Sequence, residues 1–119
     1  MSPSERHVPC WVLALLVAVM PLSAAHSDVT YVRASDLGRL CNSDNDIKRS
    51  WCEGFISSVL EIVSNDSFGG IRVCLTSQTT LQRGVDIAKK WLADHPRESI
   101  ERASVAVARA FADAFPCTK

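Results

Sequence analysis

Cys41, Cys52, Cys74 and Cys117 lie downstream of an N-terminal segment that has the layout of an export signal. No other feature restricts the fold as tightly, because thiols delivered to an oxidising compartment pair up, whereas cytosolic thiols stay reduced. Arg6 and His7 form a short polar head, Trp11 to Met20 an unbroken apolar run, Pro21 a break, and Ser23-Ala24-Ala25 a small-residue cleavage site. This layout predicts a signal peptide over residues 1–25 and a mature chain starting near His26. The apolar run is about half the ~20 residues that a membrane-spanning helix needs, so no stable membrane anchor is expected. Cys10 departs with the signal, which turns an odd set of five cysteines into an even four.

What remains, residues 26–119, has the length of one domain and shows no repeat, low-complexity tract or linker. A domain this small is near the limit at which a hydrophobic core alone suffices, so disulfide staples would contribute materially. The full chain carries 13 basic and 13 acidic side chains. That balance gives no electrostatic reason to expect nucleic acid or anionic lipid as a partner. A protein partner, a small ligand and a homodimer stay open.

Apolar spacing predicts an all-α fold. Ser35 is positioned to cap a short leading helix that runs into Cys41, and the turn-rich Asn42-Ser43-Asp44-Asn45 follows. From about Asp46 to Val63, Ile47, Trp51, Phe55, Val59 and Ile62 recur every three or four residues, widened by Cys52 and Ile56, as on the buried face of a long helix. Ser64 to Gly70 reads as a loop. Thr79-Thr80-Leu81-Gln82 matches a T-x-x-Q capping box, and Leu81, Val85, Ala88 and Leu92 then mark a third helix. His95-Pro96 stops that helix, and Pro96 can open the next, whose stripe is Ile100, Ala103, Val107, Phe111 and Ala114. No period-two alternation argues for a sheet, although Val29 to Val32 reads as a short extended lead-in. The expectation is a small disulfide-stapled bundle of three main helices plus a short leading one, the last two forming an antiparallel hairpin.

Four cysteines allow three connectivities, and sequence alone does not choose among them. The hairpin brings Cys117 back toward Cys74, and Cys41 can lie at the same end. Pairing Cys52 with Cys74 and Cys41 with Cys117, each across a helix join, is favoured.

Chemistry finds little footing. Structural zinc sites usually include a close C-x2-4-C pair, whereas these cysteines are 11, 22 and 43 positions apart, so no metal is expected. A cysteine nucleophile needs a spare thiol and a histidine base, and His95 reads as a helix-terminal residue. There is no G-x-S-x-G, H-E-x-x-H or glycine-rich phosphate loop. Glu53, Glu61, Glu98 and Glu101 fit solvated helix faces and first turns. Trp51, Phe55 and Trp91 fit core stripes, and Phe68 reads as a plug over the core more than as an exposed anchor. The chain is therefore expected to be no enzyme and to need no cofactor.

Read in order, Cys41, Trp51-Cys52-Glu53-Gly54-Phe55-Ile56, Cys74-Leu75 leading to Thr79 and Gln82, Trp91-Leu92 before His95-Pro96, Ala110-Phe111 and Ala114-Phe115-Pro116-Cys117 resemble the Rap/Tai family of immunity proteins. The likeness covers about residues 35 to 117. It departs after Cys74, where Leu75-Thr76 stands in place of the family's frequent proline. The resemblance implies a small helical periplasmic protein of a Gram-negative bacterium that binds and neutralises a peptidoglycan amidase effector delivered by type VI secretion. It further implies inhibition by a surface loop or helix edge that occludes the amidase cleft. The candidates for that contact are Asn65, Asp66, Phe68 and Arg72, with Ser43 and Asp44 at the turn before the long helix. Size, export and disulfides also suit a small periplasmic chaperone or stress protein, or a ligand-binding protein.

Overall fold

The computed structural model describes residues 30–118, so the predicted signal peptide with Cys10 and the predicted start at His26 lie outside the described residues. Among the described residues four α-helices follow one another: α1 (Ala34–Cys41), α2 (Asp46–Asn65), α3 (Leu81–Asp94) and α4 (Ala103–Ala114). A 3-10 turn, Pro96–Glu98, lies between α3 and α4. Among the described residues there is no strand, only two isolated bridges, Arg33 with Arg102 and Phe68 with Ile71. The expected all-α bundle with a short leading helix is what forms.

Two of the four helices start with a side-chain cap. Asn45 accepts from the Lys48 amide at 3.1 Å, which satisfies one of the free N–H groups of α2. At α3 the cap is Thr80, whose hydroxyl accepts from the Arg83 amide at 3.2 Å. The predicted box through Thr79 and Gln82 does not form, because Thr79 closes a turn with Thr76 and Gln82 donates to Asp86. Thr80→Ala is expected to lower stability by about 1 kcal/mol, read as a shifted denaturant midpoint, and Thr79→Ala by less.

Ser35 does not cap α1 but lies inside its first turn, with Arg33 at the cap position and no side-chain bond there. The chain between α3 and α4 serves instead. The Ala34 and Ser35 amides donate to the carbonyls of Glu101 (2.9 Å) and Ser99 (3.0 Å), while the Ala103 amide donates to Val32 (2.8 Å). Glu101 is itself fixed by Arg109, whose guanidinium reaches both carboxylate oxygens at 2.7 and 2.9 Å. This tertiary cap explains why α4 begins at Ala103: residues 99–102 are committed to α1 and cannot join a helix that started at Pro96.

The core lies where α4 meets the other three helices. Its largest fully buried side chains are Phe111, Leu37, Ile56, Val107 and Cys52. Ala103, Ala106, Ala108 and Ala110 are also buried, and these small side chains let neighbouring helices approach α4 closely. Trp91 is buried against Ala34, Ala106 and Ala110, as expected of a core stripe. Contacts of Arg83 with Phe115 and of Trp91 with Ala106 and Ala110 run in opposite senses along α3 and α4, which makes the predicted antiparallel hairpin. At Gly84 a Cβ would stand 2.7 Å from Leu60 Cδ1 and 3.6 Å from Phe111 Cζ, so glycine there sets the approach of α3 to α2.

Helix α2 is rotated relative to the predicted stripe. Its buried line is Cys52, Ile56, Val59 and Val63, whereas Ile47 (80 % exposed), Trp51 (45 %) and Ile62 (46 %) face outward and Phe55 is half-buried. Two apolar lines run side by side on this helix, and spacing alone does not say which is inward. Ile100 and Ala114 of the predicted last stripe, and Leu81 of the third, are likewise exposed.

The disulfides correct the favoured pairing. Cys41 bonds Cys52 (Cα–Cα 5.1 Å) and Cys74 bonds Cys117 (Cα–Cα 5.0 Å). The reason is axial distance. Cys74 and Cys117 share a groove with Val63 to Ser67, at the end of α2. Cys52 lies eleven residues before Val63, roughly 16 Å along the helix, beyond the reach of a disulfide. Cys41 closes α1 at the opposite end of α2, where Cys52 is the one near partner among the described cysteines. With every one of these four sulfurs committed, zinc ligation and thiol nucleophilicity have no donor among them.

Candidate functional site

The end of α2 is a built surface. Asn65 closes the helix with its amide group donating to the Glu61 carbonyl at 3.0 Å, and the extended Asp66 accepts from the Ser67 amide at 2.6 Å. Phe68 and Ile71 then exchange both backbone hydrogen bonds, at 3.0 and 2.9 Å. Gly69 and Gly70 between them have φ of 57° and 81°, the positive pair that a two-residue hairpin turn of this hand requires. Phe68 is half-buried on the main core, so it seats the hairpin, as the plug reading expects. Asn65, Asp66, Ser67 and Arg72 line a polar groove of about 360 Å³ beside the Cys74–Cys117 bond, and among the described residues Arg72 makes no ion pair.

Ser43 and Asp44 lie elsewhere. Their carbonyls accept from Arg49 at 3.3 and 3.2 Å, and the Ser43 hydroxyl accepts from the Asn45 amide at 3.2 Å, so both are occupied in shaping the α1–α2 turn. The 20 residues of α2 separate this turn from Asn65 by about 30 Å. The six candidate contact residues thus fall into two groups at opposite ends of one helix, not into one site.

A second surface was not read from the sequence. Trp51 and Phe55 stack with ring centroids 5.5 Å apart on the outer side of α2. Phe55 shares a hollow with Tyr31 and Arg102, and the Arg102 guanidinium lies 3.8 Å from the centre of the Tyr31 ring. Tyr31 is 53 % exposed. Tryptophan, tyrosine and arginine are the side chains most enriched in the energetic centres of protein interfaces. The signal available in the sequence was the doubled apolar line on α2, of which a bundle can bury only one.

Other hollows are shallower in chemistry. One of about 560 Å³ opens between α1 and α3 around Gly38, Lys89, Leu92 and Pro96. Beside it, the Trp91 indole donates to Asp113 at 2.7 Å and stacks on His95 at 3.9 Å, while His95 Nδ1 donates to the Trp91 carbonyl at 2.8 Å. His95 is held as a helix-terminal residue, as expected. A 2.6 Å hydrogen bond from Lys90, and secondarily its charge, hold the exposed Asp94 carboxyl below its ordinary range. Among the described residues no group of three or more His, Cys, Asp and Glu is placed to hold a metal ion, and no helix is long and apolar enough to cross a membrane.

The arrangement is a disulfide-stapled helical scaffold with one polar and one aromatic exposed surface, and comparison with known proteins gives its family. The family model of the Rap1a immunity proteins matches residues 33–117, spanning all four helices and both disulfides. The chain belongs to the Rap1a immunity protein family. Membership gives this Rap1a-family protein an immunity role, exercised by binding a protein effector. No curated protein and no solved structure gave a significant match.

Proposed function

We propose that this Rap1a-family protein is exported to the periplasm and there binds a peptidoglycan amidase delivered by type VI secretion, holding it inactive in a stoichiometric complex without chemistry of its own. Family membership over residues 33–117 carries the reading. Two disulfides suit an oxidising compartment, and the signal-like residues 1–25 supply the route to it. The contact surface is the end of α2. Here the polar side chains of Asn65, Asp66 and Arg72 sit on backbone held by the Gly69-Gly70 turn and by the Cys74–Cys117 staple, and such preorganisation lowers the entropic cost of binding.

The test is survival of cells that express, in the periplasm, each candidate amidase from the source genome with and without this protein. Protection against at least one amidase is expected. Protection should weaken by tenfold or more in effector dose when Asp66→Lys and Arg72→Glu are combined, because removing charged interface contacts typically costs several kcal/mol. Both side chains are exposed, so the variant should keep its helical circular dichroism. Unchanged killing by every amidase would contradict the reading.

A further inference from the structure

We propose, on the footing of the effector-binding role above, that Arg33 and Arg102, with Tyr31, form a docking surface for an acidic segment of the effector, a second contact besides the end of α2. Arg33 and Arg102 face one another in an isolated antiparallel bridge. Residues opposite each other in such a pair project to the same side, and so does the residue two positions back along the chain. Tyr31, Arg33 and Arg102 therefore share one outward side, while Val32 between them packs on the main core. The Ala103 amide donates to Val32 at 2.8 Å and the Ala34 amide to Glu101 at 2.9 Å, which fixes the two backbones.

The pair is placed against local stability. Two like charges directly opposite each other repel. Each is also the N-cap residue of a helix, Arg33 of α1 and Arg102 of α4, where the helix dipole favours an acid over a base, and neither makes a side-chain cap bond. Both side chains are exposed, and among the described residues no carboxylate forms an ion pair with either guanidinium. Departures of this kind from what stability favours are expected where a binding surface is kept.

The chemistry of the site selects its occupant. The Arg102 guanidinium lies 3.8 Å from the centre of the Tyr31 ring. Stacked on an aromatic face, a guanidinium keeps its in-plane N–H donors at the edge, ready for a bidentate pair with a carboxylate. Beside it, Val32, Phe55 and Ser104 line a hollow of about 310 Å³ with no acidic residue in its wall among the described residues. Two unneutralised guanidiniums thus take carboxylates, and the aromatic-walled hollow takes an apolar side chain next to them. One partner can reach both contacts. Phe55 lies ten residues before Asn65, roughly 15 Å along α2, and a standard interface of about 800 Å² per side is roughly 30 Å across.

The test is the affinity of the oxidised protein for each amidase of the source genome, by titration calorimetry at low and high salt, with urea unfolding in parallel. The unaltered protein should bind at least one amidase, more weakly as salt rises. Arg33→Glu combined with Arg102→Glu should weaken that binding by about tenfold or more and flatten its salt dependence. The denaturant midpoint of this variant should hold or rise, because acids replace bases at two helix starts. Arg102→Lys keeps the charge, loses the planar fork and should fall between the two. Undiminished affinity in the double reversal would overturn the proposal and leave the effector-binding role standing, whereas no binding by any amidase would overturn both. A lowered midpoint would mean that a carboxylate of this chain, such as Asp28, is the partner of the arginines, and would also overturn it. So would binding to phosphatidylglycerol vesicles that the double reversal abolishes while amidase affinity is kept.

Discussion

Replacing Cys74 and Cys117 together by serine is expected to lower the unfolding free energy by about 4 kcal/mol, the loop-closure entropy of a 43-residue separation in the chain-entropy model. The 11-residue closure at Cys41–Cys52 gives about 3 kcal/mol by the same relation. A domain of this size has roughly 5–15 kcal/mol in total, so loss of both staples should leave the chain largely unfolded. Urea unfolding of the two paired variants checks the order. The two bonds should also differ in access to reductant. Cys74 is exposed and Cys117 half-buried, whereas Cys41 and Cys52 are 4 % and 1 % exposed. Mild reduction followed by thiol labelling and mass mapping should therefore mark Cys74 and Cys117 first. Equal labelling of all four, or a Cys74/Cys117 variant within 1 kcal/mol of the parent, would contradict this assignment of roles.

Phe111→Ala is expected to cost about 3–5 kcal/mol, the range for deleting a buried phenylalanine ring. Phe111 is fully buried, and its ring tip lies within contact distance of the position a Gly84 Cβ would occupy, between α2 and α3. A cavity there loosens three helices at once. The predicted signature is a lower midpoint with an unchanged denaturant slope, since the surface exposed on unfolding stays nearly the same. A loss below about 1 kcal/mol would mean that neighbouring side chains close the void, which the rigid crossing at Gly84 opposes.

Both predictions rest on features that were visible in the chain to different degrees. The four helices, their limits near Asp46 and Leu81, and the buried roles of Val85, Ala88, Trp91, Val107 and Phe111 follow from apolar spacing and punctuation, because each helix must bury one face. What escaped were facts set by distant residues. The cap of α1 comes from Ser99 and Glu101, more than sixty residues away, and that borrowed cap also delays α4 to Ala103. The pairing of cysteines depends on the length of α2 as a spacer, although the α3–α4 hairpin already brings Cys117 back toward Cys74. On α2 itself, two parallel apolar lines gave spacing two equal answers. The choice was made by Cys52, which the bond to Cys41 turns inward. The candidate contact residues at the loop were legible as a cluster of turn formers, but their separation from Ser43 and Asp44 was not, because a helix length is needed to see it.

A disulfide-pinned helical scaffold of the Rap1a family is proposed to act by occupying an amidase. Titration of the purified cognate amidase with the oxidised protein, reading peptidoglycan hydrolysis, tests this most directly. Activity should fall linearly to a sharp end point at a fixed whole-number stoichiometry, and reduction of the inhibitor before mixing should abolish the effect. Hydrolysis that continues undiminished past a large molar excess of folded, oxidised protein would contradict the account.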